Sequence, residues 1–492
     1  MRKRVAVIGA GFSGIASAAY AARDGHEVHV FEKNDTAGGR ARQFTSPEGF
    51  VFDMGPSWYW MPDIIQDFFK DFGDSTDSYF KLHSLNPQFE MVFKESKISV
   101  PENFEEFKNL FESIEKGAGK KLEEFMASAE YKYNIGMKEF VNKPCYSWME
   151  FVSWKIIKSA FNLDLLTNFR DYVSRYFRDF RLRAMMEFPV IFLGASPKKI
   201  PALYSMMNYG GYILGTKYPE GGFYSLVKAM KSIAESQGAK FHFKSNIKSI
   251  ENTKSKINIT VNSENLSFDA VISSADYHHT ETLLKSASDK NYDEKYWQKK
   301  TFAPSCLIFY LGFSKKIAGL KHHTLFFEND LDNHINSIYK KPEWPDKPLF
   351  YCCCPSVTDS SVAPEGYENV FLLMPVANNL KCDDTICEKY LDDMIERIEK
   401  HTGIAHLKNY IIYKRSYCVD DFRQDYNAYG GNAYGLANTL SQTAVLKPSI
   451  RNKKMKNFFY TGQLTVPGPG VPPSIISGKL VAIEMNKTLK TL

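Results

Sequence analysis

Residues 5–32 read VAVIGAGFSGIASAAYAARDGHEVHVFE, and this stretch limits the fold more tightly than any other. Val5 to Ile8 is a short β-branched run of the kind that forms a buried parallel strand. Gly9, Gly11 and Gly14 follow as G-x-G-x-x-G. In a strand–turn–helix unit the first glycine permits the tight turn. The second lets the backbone approach a pyrophosphate, and the third lets the helix pack on the strand. Phe12 and Ser13 lie between them, and the spacing predicts an Ala-rich helix from about Ser13 to Arg23. Its N–H groups and dipole suit phosphate oxygens. Gly25 stops the helix, His26 to Phe31 alternates as a second strand, and Glu32 stands at its end, where an acid holds ribose hydroxyls and repels a 2′-phosphate. Lys33 adjoins it.

The opening MRKR, the apolar run and the small residues near Ala19 to Ala22 also fit a secretory signal peptide. Cleavage there would discard the whole motif, so the dinucleotide reading is preferred. Gly38, Gly39 and Arg40 come soon after the second strand. Two glycines allow the backbone close to a cofactor, and Arg40 can meet pyrophosphate charge. The alternative is a plain turn with a surface arginine. At the far end, Phe458 to Thr461 reads as a strand that Gly462 ends. Pro467, Gly468, Pro469, Gly470, Pro472 and Pro473 form a stiff turn. Ser474 is the expected N-cap of a final helix. A helix N-terminus aimed at a bound group stabilises negative charge on it.

GAGFSG, FEKNDTAGGRARQF and FDMGPSWYWMP resemble the N-terminus of the flavin amine oxidase and carotenoid desaturase superfamily. NFFYTGQLTVPGPGVPPSIISGKLVA (Asn457 to Ala482) is similar to the C-terminal signature of bacterial-type phytoene desaturases, and YPEGGFYSLVKAM is a weaker middle block. The resemblance implies FAD held by Gly9, Gly11, Phe12, Ser13, Gly14, Glu32, Lys33, Gly38, Gly39, Arg40, Gly55, Pro56, Ser57, Gly462, Gly470, Val471 and Pro472, with Ile247 near the adenine. It implies FAD-dependent desaturation of a C40 polyene, phytoene to products such as lycopene, with oxygen or a quinone as electron acceptor. Desaturation of a hydroxylated or otherwise modified carotenoid is the nearest alternative. Amine or porphyrinogen oxidation and non-catalytic prenyl binding are more distant ones. Thr465 and Val466 stand where many relatives have a His, and no aromatic cage or flavin-side Lys is located, which weakens an amine substrate. No acid/base residue is assigned and no metal is expected.

The implied fold class is α/β: a discontinuous Rossmann-type FAD-binding domain (1–75, 216–285 and 440–492) and an α+β substrate domain (76–215 and 286–439). A length of 492 residues accommodates both. Aromatic residues make up 14% of the chain, enough to line a long apolar cavity or simply to fill a core. Residues 301–313 and 348–354 read as apolar strands. The net charge of +6 is too small for a nucleic-acid binder and compatible with an anionic membrane surface. Within 146–193, Trp148, Phe151, Trp154, Ile157, Phe161, Leu165 and Phe169 recur at helical spacing, interleaved with Lys155 and Lys158 and followed by Arg170, Arg175, Arg178, Arg181 and Arg183. Such a helix can lie on a bilayer and open a tunnel to lipid, or be a packed helix with a solvated basic face. No later apolar run approaches the ~18 residues of a bilayer span. The eight cysteines read as reduced thiols, and Cys352, Cys353 and Cys354 have no zinc spacing. The expected location is cytoplasmic, peripheral to the inner face of the cell membrane.

Overall fold

The computed structural model describes residues 2–151, 164–191, 194–253 and 255–491. Its first sheet is parallel and five-stranded, in the order Phe458–Tyr460, Ala270–Ser273, Arg4–Ile8, Glu27–Phe31, Lys240–His242. The strands therefore come from three distant stretches of chain. Val5, Ala6 and Val7 are fully buried, as a central parallel strand requires. The helix Phe12–Arg23 follows at once, one residue earlier than the glycine spacing predicts. Its alanines have a physical reason: it is covered by the helices Tyr224–Ser236 and Val471–Leu489 and is buried from Phe12 to Ala22. The approach of the last helix is so close that a Cβ at Gly478 would lie 2.4 Å from the Ser13 carbonyl oxygen.

A three-stranded antiparallel sheet (Ile247–Asn252, Ile257–Val261, Glu264–Phe268) precedes Ala270–Ser273. The second large sheet has seven strands in the order Ile411–Tyr417, Ser305–Phe313, Glu368–Val376, Phe350–Cys353, His323–Phe326, Phe89–Val92, Lys97–Val100. Its pairs are antiparallel except His323–Phe326 with Phe89–Val92. Ser305–Phe313 is buried at every position, so it alternates in neither direction. It starts only after Pro304, which lacks the N–H that a strand ladder needs.

Two expectations change. The last helix begins at Val471 with Gly470 as its cap, so Ser474 lies in its first turn, where its N–H bonds to the Gly470 carbonyl at 3.0 Å. Pro472 and Pro473 are tolerated there because first-turn N–H groups have no intrahelical partner. The 146–193 stretch is also not one continuous helix in its described part: Phe169–Tyr176 and Phe180–Ile191 are separate helices. Trp154, Ile157, Phe161, Lys155 and Lys158, with the side chains of Trp148 and Phe151, lie outside the described residues. Phe169 is buried, Arg170 pairs with Glu187 and Asp332, and Arg181 pairs with Asp179. Among the described residues no helix is long and apolar enough to cross a membrane.

Candidate functional site

One cavity of ≈ 950 Å³ runs from the glycine turn of the parallel sheet to the face of the seven-stranded sheet. Its polar end is built by local backbone chemistry. Gly9 has φ +94°, a conformation closed to most side chains, and its N–H bonds to Phe31 at 2.8 Å, closing the turn between the first two strands. Gly14 does not line the cavity. A Cβ there would sit 2.0 Å from the Gly9 carbonyl oxygen, so its role is to let the helix pack on the turn.

Glu32 is 5% exposed, and its carboxylate accepts the N–H of Ala10 at 2.8 Å and of Asn34 at 3.0 Å. The acid is thus fixed at the mouth of the turn. The Gly38 N–H bonds back to Ala10 at 2.8 Å, which brings the second glycine pair over the first. Arg40 reaches across to the Asn432 carbonyl at 3.3 Å and lies 4.9 Å from the Tyr426 ring centroid. Burial pushes its pKa down, and its Nε is buried with no hydrogen-bond partner. A lined cleft with close-approach glycines, a desolvated guanidinium and an anchored acid fits the diphosphate and ribose of a dinucleotide. Lys33, also lining, is held by the Gln424 carbonyl at 2.5 Å.

The C-terminal side is built by the strand Phe458–Tyr460 and the turn after it. The Gly462 N–H donates to Ser477 Oγ at 3.0 Å, and Thr465 Oγ1 donates to the Gly462 carbonyl at 2.9 Å, tying the Pro/Gly turn to the last helix. Gly462, Gly470, Val471 and Pro472 line the cavity opposite the glycine turn, as do Gly55, Pro56 and Ser57. Beyond them the lining turns apolar and aromatic, with Phe140, Leu165, Phe188, Met207, Phe327, Ile338 and Tyr351 among its residues. At the junction Tyr351 OH donates to Ser57 Oγ at 2.9 Å. His334 also lines it. Burial lowers its pKa to about 4, and both ring nitrogens are occupied, by the Leu349 N–H and the Pro375 carbonyl.

Of the residues expected at the site, all but Gly14 line this cavity, including Phe12, Ser13, Gly39 and Ile247. Sequence reasoning missed Asn34, Asn246, Ser274, Asp276, His279 and Asn438, which also line it. Asp276 has its pKa raised by burial, and His279 has its pKa lowered to about 4 by burial and then by Lys33. Asp276 follows the fourth strand of the parallel sheet, and that position was the available signal, because ligands in such sheets sit beyond the carboxyl ends of the strands.

The sequence pattern of the family described as flavin containing amine oxidoreductase matches residues 12–486. A carotenoid 3,4-desaturase of Haloarcula japonica is 37% identical over 481 residues, 97% of each chain. A 4,4'-diapophytoene desaturase (4,4'-diaponeurosporene-forming) of Staphylococcus haemolyticus is 28% identical over 99% of each chain. Among solved structures, cyclohexylamine oxidase from Brevibacterium oxydans shares the fold, with a TM-score of 0.59, 13% identity and full coverage of both chains.

Proposed function

From the premise that the chain belongs to the flavin-containing amine oxidoreductases, and within them to the carotenoid desaturases, we propose that it dehydrogenates a C40 carotenoid in the apolar half of its cavity. It is an FAD-dependent oxidoreductase. The observation that carries the substrate reading is the continuity of one cavity from the dinucleotide-type turn to a long aromatic and aliphatic end.

When bound, the flavin supplies the acceptor for hydride from an allylic carbon, while a proton leaves the neighbouring carbon. The protein supplies position and dryness. Glu32 would hold the ribose, Arg40 and the turn at Gly9 and Gly11 would hold the diphosphate, and the N-terminus of Val471–Leu489 would favour negative charge on the reduced flavin. Segments 1–75, 216–285 and 440–492 form this cofactor domain, and 76–215 with 286–439 form the substrate domain. A hydrocarbon offers no polar handle, so affinity comes from apolar burial at ~25 cal/mol per Å². Phe188, Phe327 and Ile338 supply that surface and exclude water from the reacting carbons.

The 37% relative is named for the 3,4 bond, which favours an already conjugated carotenoid as substrate. The Pro/Gly tail wording supports the phytoene-to-lycopene reading beside it. Incubation of the flavin-loaded protein in liposomes carrying either phytoene or lycopene, followed by pigment spectra, decides: a red shift of lycopene alone assigns the first reading, and colour from phytoene the second. No spectral change with either overturns both readings.

Substrate delivery is proposed at a membrane surface on the cytoplasmic side, with oxygen or a quinone reoxidising the flavin. Leu165 lines the cavity, and its neighbour Leu166 is 93% exposed. Met149 and Phe180 are exposed as well. Exposed apolar side chains of this kind suit contact with lipid.

A further inference from the structure

Behind the cavity wall the antiparallel pair His323–Phe326 and Phe350–Cys353 sets His323 directly opposite Cys353. His322 is fixed on the same pair, because its carbonyl accepts the Cys354 N–H at 2.9 Å. All three side chains are buried: His322 is 4% exposed, His323 0% and Cys353 2%. A ring nitrogen of each histidine and the Cys353 Sγ lie within 4.8 Å of one another.

The imidazoles are oriented in a particular way. The His322 Nδ1 is bonded to Thr358 Oγ1 at 2.8 Å, and the His323 Nδ1 to Tyr351 OH at 2.7 Å. Tyr351 OH already donates to Ser57, so its oxygen is left to accept the His323 Nδ1–H. That tautomer leaves Nε2 as a bare lone pair. The Nε2 atoms of both histidines are buried with no hydrogen-bond partner. Buried nitrogens without partners are rare and call for an explanation. A histidine whose Nδ1–H is held by an oxygen while Nε2 stays free, as at His323, is arranged as a metal ligand.

We propose that His322, His323 and Cys353 bind a zinc-class divalent cation. Two imidazoles and a thiolate are the donor set such an ion prefers. With separations of at most 4.8 Å, some point lies within about 2.8 Å of one nitrogen of each ring and of the Cys353 sulfur, and ligation at about 2.0–2.3 Å draws each inward by about half an ångström. On binding, the Cys353 thiol releases its proton to water as the metal–sulfur bond forms, with no change of oxidation state. Of the nearby charges, Asp359 bears on His322 in a cation's favour, against His83 on the opposing side. A void of ≈ 20 Å³ bordered by Cys353, Asp53, Tyr218 and Ser57 adjoins the thiol side of the cluster and has room for about one water. The ion would hold the His323–Tyr351–Ser57 chain, whose last two members line the cavity, so these metal ligands are positioning residues for its wall.

The flavin-loaded full chain, produced with zinc in the medium and dialysed against a chelator, is assayed by mass-spectrometric metal analysis beside Cys353→Ser and His322→Gln. The expected result is close to one zinc per chain in the parent and at least a tenfold loss in each variant that retains flavin. Zinc below a tenth of an equivalent in the parent, or undiminished zinc in flavin-retaining variants, overturns the site. If neither variant retains flavin, cobalt titration of the parent decides. A near-ultraviolet thiolate-to-cobalt band saturating at one equivalent supports the assignment, and its absence refutes it.

Discussion

Gly11 and Gly39 face each other across the polar end of the cavity: a Cβ built on Gly39 would lie 3.2 Å from the Gly11 Cα. Two turns from different parts of the first hundred residues thus present bare backbone to the same space. A Cβ on Gly11 itself meets nothing nearer than 4.0 Å, so the protein without cofactor has room for it.

Gly11→Val therefore tests ligand space rather than folding. The variant is expected to fold with a thermal midpoint near the parent's and to retain under about a tenth of the flavin, because its side chain occupies a close-packed contact. Flavin absorbance per chain and a melting curve check both halves. Gly14→Ala should do the opposite and lower the melting point, since its Cβ would lie 2.0 Å from the Gly9 carbonyl oxygen.

Glu32→Ala removes a charged acceptor that also fixes the Ala10 and Asn34 N–H groups. Hydrogen bonds to charged groups are worth about 1.5–3 kcal/mol, so FAD affinity should fall about ten- to hundredfold. Fluorescence titration of the FAD-stripped protein measures it. An unchanged dissociation constant removes Glu32 from the ribose site.

Ala195→Trp places an indole in the apolar half of the cavity, which Ala195 lines. Flavin content should stay at parental level while turnover of the C40 substrate drops at least about tenfold, the loss expected from denying a few hundred Å² of apolar contact. Pigment yield from liposomes reads the effect.

Asp53 gives a pH prediction. Burial raises its carboxyl pKa from 3.8 to about 7, against the bonds it accepts from the Phe223 N–H, Gln43 and the Tyr224 N–H. The unfolded chain releases this proton near pH 4 and the folded one only near pH 7. Between those values the folded state binds more protons, so this residue's contribution to stability falls as pH rises and levels off above about pH 7. Asp53→Asn should gain on the parent across that window by at most roughly 1.4 kcal/mol per pH unit. Denaturant melts of both proteins at several pH values test the divergence.

What could be read in advance was local. The run from Val5 to Glu32 carries strand, turn, helix and acid within one short stretch, so its physics is complete in the letters. The Pro/Gly tail was legible for the same reason, although its prolines moved the helix start from Ser474 to Val471. His322, His323 and Cys353 form a cluster only through strand register, and no spacing rule spans that gap. Asp276 and His279 reach the cavity through the order of the parallel sheet. Leu165 lines the cavity, whereas Phe169 from the same periodic set is packed in the core.

The parallel sheet is completed by Phe458–Tyr460, and the helix Val471–Leu489 then lies directly on the first helix of the chain. The turn at Gly9 and Gly11 is therefore synthesised long before the Pro/Gly turn that lines the same cavity. A chain cut back before Phe458 would lack both the outer strand of the parallel sheet and the helix that covers the first helix.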